Sequence, residues 1–123
     1  MLLHIEATQH EGTTVLTMLG DLDVASAPQL RSQVIEAISH GPVDLVLDLR
    51  NVDFIDSFGL GVIISALKRT ALVDRKLQLL TDPGGPVSEL LRITDLDRIL
   101  EVRPGLETTG FETTGFETTE PAE

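Results

Sequence analysis

The residues with the clearest chemical potential lie at positions 53–61, here called the Asp–Ser segment. Within it, Asp56 and Ser57 place a carboxylate next to a hydroxyl. A serine in this position could accept a phosphoryl group, or its hydroxyl could cap the helix that the following residues predict. Gly59 and Gly61 would let another chain or a phosphate approach the first turn of that helix, although such glycines often serve packing instead. The residues alone leave both interpretations of the serine open.

The rest of the chain offers little for catalysis. It contains no cysteine, which excludes a disulfide scaffold, a thiolate metal site and a cysteine nucleophile. His4, His10 and His40 are dispersed at positions expected on the surface, and none follows Ser57 to act as its base. The chain also has no G-x-S-x-G, Walker-type or G-x-G-x-x-G sequence. We therefore expect no enzyme activity, no catalytic residue, no metal site and no cofactor.

Net charge and composition limit the classes of partner that this protein could bind. The chain has 20 acidic and 9 basic residues, and its formal net charge of −11 would repel nucleic acid or an anionic membrane surface. Four Phe, with no Tyr or Trp, offer little for base stacking. The longest uncharged stretch in the apolar middle, residues 57–67, has 11 residues, whereas a bilayer span needs about 20, and the N-terminus lacks signal-peptide features. We expect a cytoplasmic protein without nucleic-acid or membrane partners, most simply a monomer.

The elements that must position the Asp–Ser segment alternate between strands and helices. Alternating apolar residues predict strands over residues 3–8 and 15–19, joined as a hairpin. A helix is predicted to begin at Ser26, which stands three residues before Gln29 in a capping-box pattern. The Gly-Pro pair at 41–42 ends that helix.

The Asp–Ser segment joins the two most apolar elements of the chain. A nearly continuous apolar run at residues 43–49 predicts a central strand covered on both faces. The helix predicted over 58–72 is apolar almost all round in its first half, as expected of a central helix, and Ser57 is its predicted N-cap. Loops at the carboxyl ends of strands are where sites form in α/β sheets, so this junction is the predicted site.

Three further elements complete the prediction. A strand is expected over residues 77–80, a short helix over 87–93 and a last strand over 99–102. A leading strand followed by alternating strands and helices predicts a layered α/β domain.

Two motifs resemble those of a known family. Residues 56–60, Asp-Ser-Phe-Gly-Leu, are similar to the D-S-x-G-L signature of STAS domains, specifically of bacterial anti-sigma-factor antagonists, and residues 20–23, Gly-Asp-Leu-Asp, resemble its earlier G-E-x-D motif. Residues 45–49 resemble the family's central strand, with Asp53 leading toward the serine. The resemblance covers residues 1–103 without a large gap. It implies the STAS fold, an α/β domain with a mixed sheet of about four to five strands and about three to four helices.

The resemblance also implies a protein switch. Family members bind, when unphosphorylated, an anti-sigma factor that is also a serine kinase, and so free the sigma factor. Phosphorylation of the serine, here Ser57, releases the antagonist, and a serine phosphatase resets it. Asp56 would orient the hydroxyl or contact the kinase, and Asp23 would shape the partner surface or hold its loop. The predicted partner-binding site comprises Asp23, Asp56, Ser57, Phe58, Gly59 and Gly61.

Phe58 departs from the family pattern, because many relatives have a second serine there. If exposed, its ring would be an apolar contact for the partner, and if buried, it would anchor the core. A residue just after the cap of an apolar helix is expected to be at least partly buried.

The sequence is also compatible with two alternative functions. Asp48, near the end of the central strand, could be the acceptor of a phosphoaspartate receiver, but no acidic pair follows the first strand and the late strands lack a candidate lysine. STAS domains also serve as accessory subunits of transporters or as parts of sensory scaffold complexes, without switching.

The last 20 residues form a separate segment. From residue 104 the sequence repeats Glu-Thr-Thr with a five-residue period, which fits neither a helix face nor strand alternation. The segment holds five of the chain's acidic residues and no basic residue. We predict a STAS domain over residues 1–103 and a disordered acidic tail over 104–123, with a docking peptide or a threonine phosphorylation tract as the alternative.

Overall fold

The computed structural model describes residues 1–104, so the predicted tail lies, from residue 105 onward, outside the described residues. In chain order the elements are β1 (His4–His10), β2 (Thr13–Leu22), α1 (Ala27–Ser39), β3 (Asp44–Ile55), α2 (Ser57–Leu72), β4 (Leu77–Leu80), α3 (Pro86–Ile93), a 3₁₀ turn (Leu96–Arg98) and β5 (Glu101–Arg103). In this part of the chain, five strands in one mixed sheet and three α-helices confirm the predicted α/β fold.

The sheet brings the ends of two strands together at the predicted site. Its strand order is β1-β2-β3-β4-β5. β1 is antiparallel to β2 through a tight turn at Glu11 and Gly12, where both φ angles are positive, at 47° and 84°. β2 to β5 are parallel, so a crossover connects each successive pair. Because Leu22 pairs with Ile55, the loops that follow β2 and β3 lie side by side.

The main core lies between the sheet and the helices. Strand residues such as Leu16, Leu47 and Leu79 pack in it with helix residues such as Leu30 and Ile63, each at most 1% exposed. Burial of one such side chain contributes about 1.5–3 kcal/mol. The apolar run in β3 and the apolar face of α2 are therefore what hold the predicted site in place.

The prediction that β3 is covered on both faces agrees with the burial of its side chains. Leu45, Leu47 and Leu49 are buried in the main core, and on the opposite face Val46 joins Val15 and Leu80 in a small separate cluster. β3 is, however, longer than predicted, because its pairing with β2 continues as far as Ile55.

Asp48 consequently lies inside β3 and not at its end. Asp48 is 1% exposed. Arg50 donates to both carboxylate oxygens, from Nε to Oδ1 at 2.9 Å and from Nη2 to Oδ2 at 2.8 Å. This bidentate pair stabilises a buried charge and presents no accessible acceptor. The receiver interpretation depended on an aspartate at the end of the central strand, and Asp48 does not lie there.

The predicted capping box of α1 does not form. Ser26 occupies the N-cap position, but its side chain accepts no hydrogen bond from the helix. Its Oγ donates to the carbonyl oxygen of Asp21 at 2.8 Å instead, and Gln29 donates from Nε2 to the carbonyl oxygen of Leu3 at 3.2 Å. Both side chains therefore stabilise the fold around the helix start and not the helix itself.

The last strand begins later than the predicted residues 99–102, because a 3₁₀ turn precedes it and the strand covers Glu101–Arg103.

Candidate functional site

The N-cap of α2 is Asp56, not Ser57. The backbone of Asp56 is extended, and its Oδ1 accepts hydrogen bonds from the amides of Phe58 and Gly59, each at 3.0 Å. Ser57 is therefore the first residue of the helix, and it is exposed. Its hydroxyl forms no hydrogen bond with any residue in the range 1–104. The prediction of a serine cap was wrong, and the correction leaves the hydroxyl free for chemistry.

Asp56 also joins two segments that are distant in the sequence. While Oδ1 caps α2, Oδ2 accepts a hydrogen bond from the amide of Val24 at 2.9 Å. The amide of Asp56 donates in turn to the carbonyl oxygen of Leu22 at 3.2 Å. The carboxylate thus connects the loop after β2 to the start of α2, and its lone pairs are used by the backbone and not by the Ser57 hydroxyl.

Asp23 holds the loop after β2 in shape. Its Oδ1 accepts from the amides of Ala25 and Ser26, each at 3.1 Å. The amide of Asp23 donates to Ser26 Oγ at 2.9 Å, so the two residues bond each other reciprocally. The structure therefore places Asp23 where it orders the loop, one of the two roles expected of it.

The two glycines of the Asp–Ser segment have different surroundings. A Cβ on Gly59 would lie 2.7 Å from the carbonyl oxygen and from Cγ of Leu22, and 3.0 Å from Cγ1 of Ile55. A Cβ on Gly61 would meet nothing within 4 Å. Gly59 is therefore required for the approach of α2 to its own sheet, whereas only Gly61 faces open space where a partner could approach.

Phe58 is 59% exposed, so the expectation of a partly buried ring was wrong. The reason is the register of α2, whose buried residues are Gly59, Ile63, Ala66 and Thr70, spaced as one helical face. Phe58 precedes that face by one residue and points away from the core.

Ser57 and Phe58 line an open groove between α1 and α2, with a volume of about 580 Å³. The remaining lining residues come from both helices and from the loop after β2, and they are Val24, Ala27, Pro28, Arg31, Gly61, Val62 and Ser65. Val24 is 57% exposed, so two apolar side chains flank the serine. Sequence reasoning missed Val24 and Arg31, because only the packing of α1 beside α2 brings them near Ser57. A weak signal for Val24 was its place directly after the Gly-Asp-Leu-Asp motif.

Acidic side chains give this edge of the sheet a negative potential. The amino group of Met1 donates to Asp21 Oδ2 at 2.8 Å. This hydrogen bond, together with the nearby charges of Asp21, Asp23 and Asp53, raises the pKa of the amino group. Asp53 itself is exposed on β3, close before the serine.

Two other kinds of site have no support in the described part of the chain. Over residues 1–104 there is no helix of the length and hydropathy that a membrane span requires. The same residues contain no group of three His, Asp or Glu side chains placed to hold a metal ion.

Comparison with known proteins identifies the family. The model of the STAS domain matches residues 4–109. The anti-sigma F factor antagonist of Paenibacillus polymyxa is 34% identical over 105 residues, which cover 83% of this chain and 87% of that protein. The anti-sigma-B factor antagonist of Staphylococcus epidermidis is 31% identical over 107 residues, which cover 87% of this chain and 98% of that protein.

A solved structure has the same architecture. An anti-sigma factor antagonist from Mycobacterium paratuberculosis superposes with a TM-score of 0.76, over 87% of this chain and 90% of that chain, at 21% identity. With a family model that matches most of the chain and relatives that are identical at about a third of the aligned positions, the protein belongs to the STAS domain family.

Proposed function

We propose that this protein is an anti-sigma-factor antagonist controlled by phosphorylation of Ser57. In its unphosphorylated form it binds an anti-sigma factor with serine kinase activity and so frees the sigma factor. The observation that carries the proposal is an exposed serine at the first position of α2, whose hydroxyl is not needed for the cap because Asp56 provides it. The names of the two relatives, antagonists of anti-sigma F and anti-sigma-B factors, support the same function.

The fold accommodates a phosphate on Ser57. The kinase transfers the terminal phosphoryl group of a nucleoside triphosphate to Ser57 Oγ, the hydroxyl proton passes to a base on the kinase, and the nucleoside diphosphate leaves. A helix N-terminus tolerates the added negative charge because the helix dipole favours it there. The hydrogen bonds of Asp56 to Phe58 and Gly59 do not involve the serine, so modification leaves them in place. A serine phosphatase would restore the hydroxyl.

The phosphate would weaken partner binding through charge. It adds about −1.5 to −2 charges at pH 7, close to Asp53 and Asp56. A partner that packs on the apolar Val24 and Phe58 side chains, beside a neutral Ser57 hydroxyl, must then desolvate a dianion. A coupling of about 1–3 kcal/mol corresponds to an affinity that is roughly 5–150-fold weaker.

The test measures partner affinity as a function of the state of Ser57. Co-purification from the host identifies the kinase partner, and titration calorimetry then gives its dissociation constant. We expect Ser57→Ala to bind as tightly as the unmodified protein and to stay bound when nucleoside triphosphate is added. The phosphorylated protein and Ser57→Glu should bind about 5–150-fold more weakly. Ser39→Glu, which places the same charge at the far end of α1, is the matched control and should bind normally.

Two results would contradict the proposal. Equal affinity of the phosphorylated and unphosphorylated forms would remove the switch. Co-purification with a membrane transporter, together with no phosphate on Ser57 by mass spectrometry under any growth condition, would replace it with the role of a non-switching accessory subunit.

A further inference from the structure

One cation lines the same groove as the serine and has no ion-pair partner among residues 1–104. Arg31 is exposed, lies one turn into α1 and is the one charged side chain among the residues that line the groove. The other arginines are mostly paired: Arg50, Arg75, Arg92, Arg98 and Arg103 each form an ion pair with an acidic side chain. Arg31 forms none with any residue from 1 to 104, although residues 1–103 hold 15 acids against 9 bases.

The carboxylate of Asp56, the residue before Ser57, is already occupied by the backbone. Both carboxylate oxygens of Asp56 accept amide hydrogen bonds, from Phe58 and Gly59 on one oxygen and from Val24 on the other. These bonds hold the carboxylate in its capping position. Arg31 forms no ion pair with Asp56 or with any other acid among residues 1–104, so its guanidinium is available to another anion in the groove.

The same hydrogen bonds limit which N–H groups could donate to a phosphate on Ser57. Free amides at a helix start are the usual partners of a phosphate. In α2 the amides of Phe58 and Gly59 are taken by the Asp56 cap, so the phosphate cannot use them without displacing that carboxylate. The Arg31 guanidinium, which lines the same groove, is an alternative donor whose planar fork matches two phosphate oxygens.

We propose that Arg31 is the counter-ion of phosphorylated Ser57, so that the groove between α1 and α2 is an internal phosphoserine-binding site. The inference rests on the proposed function for the phosphate itself and adds the place where the phosphate binds. The pair draws the phosphate into the groove and covers the space between Val24 and Phe58. Release of the partner then results from occlusion of this surface as well as from charge repulsion.

The test of this inference does not require the kinase. Phosphoserine is incorporated at position 57 during translation, so that no kinase is needed, and the second pKa of the phosphate is measured by ³¹P NMR titration. In Arg31→Gln we expect this pKa to rise by about one unit, because a nearby opposite charge shifts a pKa by roughly 1–3 units and an open groove gives the lower end. Arg31→Lys keeps the charge and should give a value between the two.

Arg69→Gln is the matched control. Arg69 also forms no ion pair with residues 1–104, and it stands in the last turn of α2. At about 1.5 Å of rise per residue, it lies roughly 18 Å from Ser57, beyond the screening length of about 8 Å at physiological salt. Its substitution should leave the pKa of the phosphate unchanged.

The outcomes of this test are distinct from those of the switch experiment. Equal phosphate pKa values in Arg31→Gln, Arg69→Gln and the unsubstituted phosphoprotein would overturn the role of Arg31. They would leave Ser57 as a switch that acts by repulsion alone. If Arg31→Gln raises the pKa but the phosphoprotein still binds its partner normally, the internal site stands and the proposed switch fails.

Discussion

The carboxylate of Asp56 connects α2 to the loop after β2, and its removal should be costly. In Asp56→Ala the amides of Phe58 and Gly59 lose their cap, which typically costs about 1 kcal/mol. The hydrogen bond from the Val24 amide is lost as well, at about 1 kcal/mol more. The sum of about 2 kcal/mol should lower the melting temperature by about 8–16 °C, since 1 kcal/mol shifts a domain of this size by about 4–8 °C.

Asp56→Asn separates the two contributions. Asparagine is a good N-cap residue and keeps an oxygen for the amides of α2. Its NH₂ group would face the Val24 amide, however, and two donors cannot bond each other. We expect about half the loss of stability that Asp56→Ala produces. Thermal unfolding followed by circular dichroism measures the total effect, and hydrogen exchange of the Val24 amide measures the loop contact directly.

A second aspartate of the Asp–Ser segment provides the control for these measurements. Asp53→Ala removes an exposed carboxylate outside this hydrogen-bond network, and its effect should lie within about 0.5 kcal/mol. If Asp56→Asn melts at the unsubstituted temperature and the Val24 amide exchanges no faster, the carboxylate does not bridge the two segments.

Two further predictions concern the same helix. Gly59→Ala should destabilise the protein, because the new Cβ would lie 2.7 Å from the Leu22 carbonyl oxygen, whereas Gly61→Ala has open space and should stabilise by up to about 1 kcal/mol. Chemical denaturation of the pair checks this, and equal effects would contradict it. Phe58→Ala should leave stability nearly unchanged, because the ring is 59% exposed, but weaken partner binding. Leu72→Ala, an exposed apolar residue at the other end of α2, is its control and should bind normally in the same titration.

The alternation of strands and helices was predictable because each element carries its own periodic signal. The hairpin follows from residues that alternate on either side of Glu11 and Gly12, and its turn is confirmed. The helix predicted over 58–72 is α2, which begins one residue earlier. The central strand was also recognised, but its end was not: residues 50–55 are polar or mixed, and they extend β3 because β2 offers a parallel partner.

The error at the cap has the same origin. Asp56 and Ser57 are both good N-cap residues, and nothing in their local sequence decides between them. The choice depends on where β3 stops, and that is determined by the pairing of Ile55 with Leu22. Once the strand ends there, Asp56 has an extended backbone and its carboxylate faces the amides of α2 and the loop after β2.

The sequence by itself determined the fold class, the position of the Asp–Ser junction between the two most apolar elements, and the family resemblance. Those properties are carried by periodicity and by contiguous motifs. Only the tertiary structure decided that Asp56 and not Ser57 is the cap, that Phe58 faces solvent, and that Arg31 shares a groove with Ser57. Each of these depends on which surfaces of distant elements meet, and a groove shared by residues 26 positions apart leaves no periodic trace along the chain.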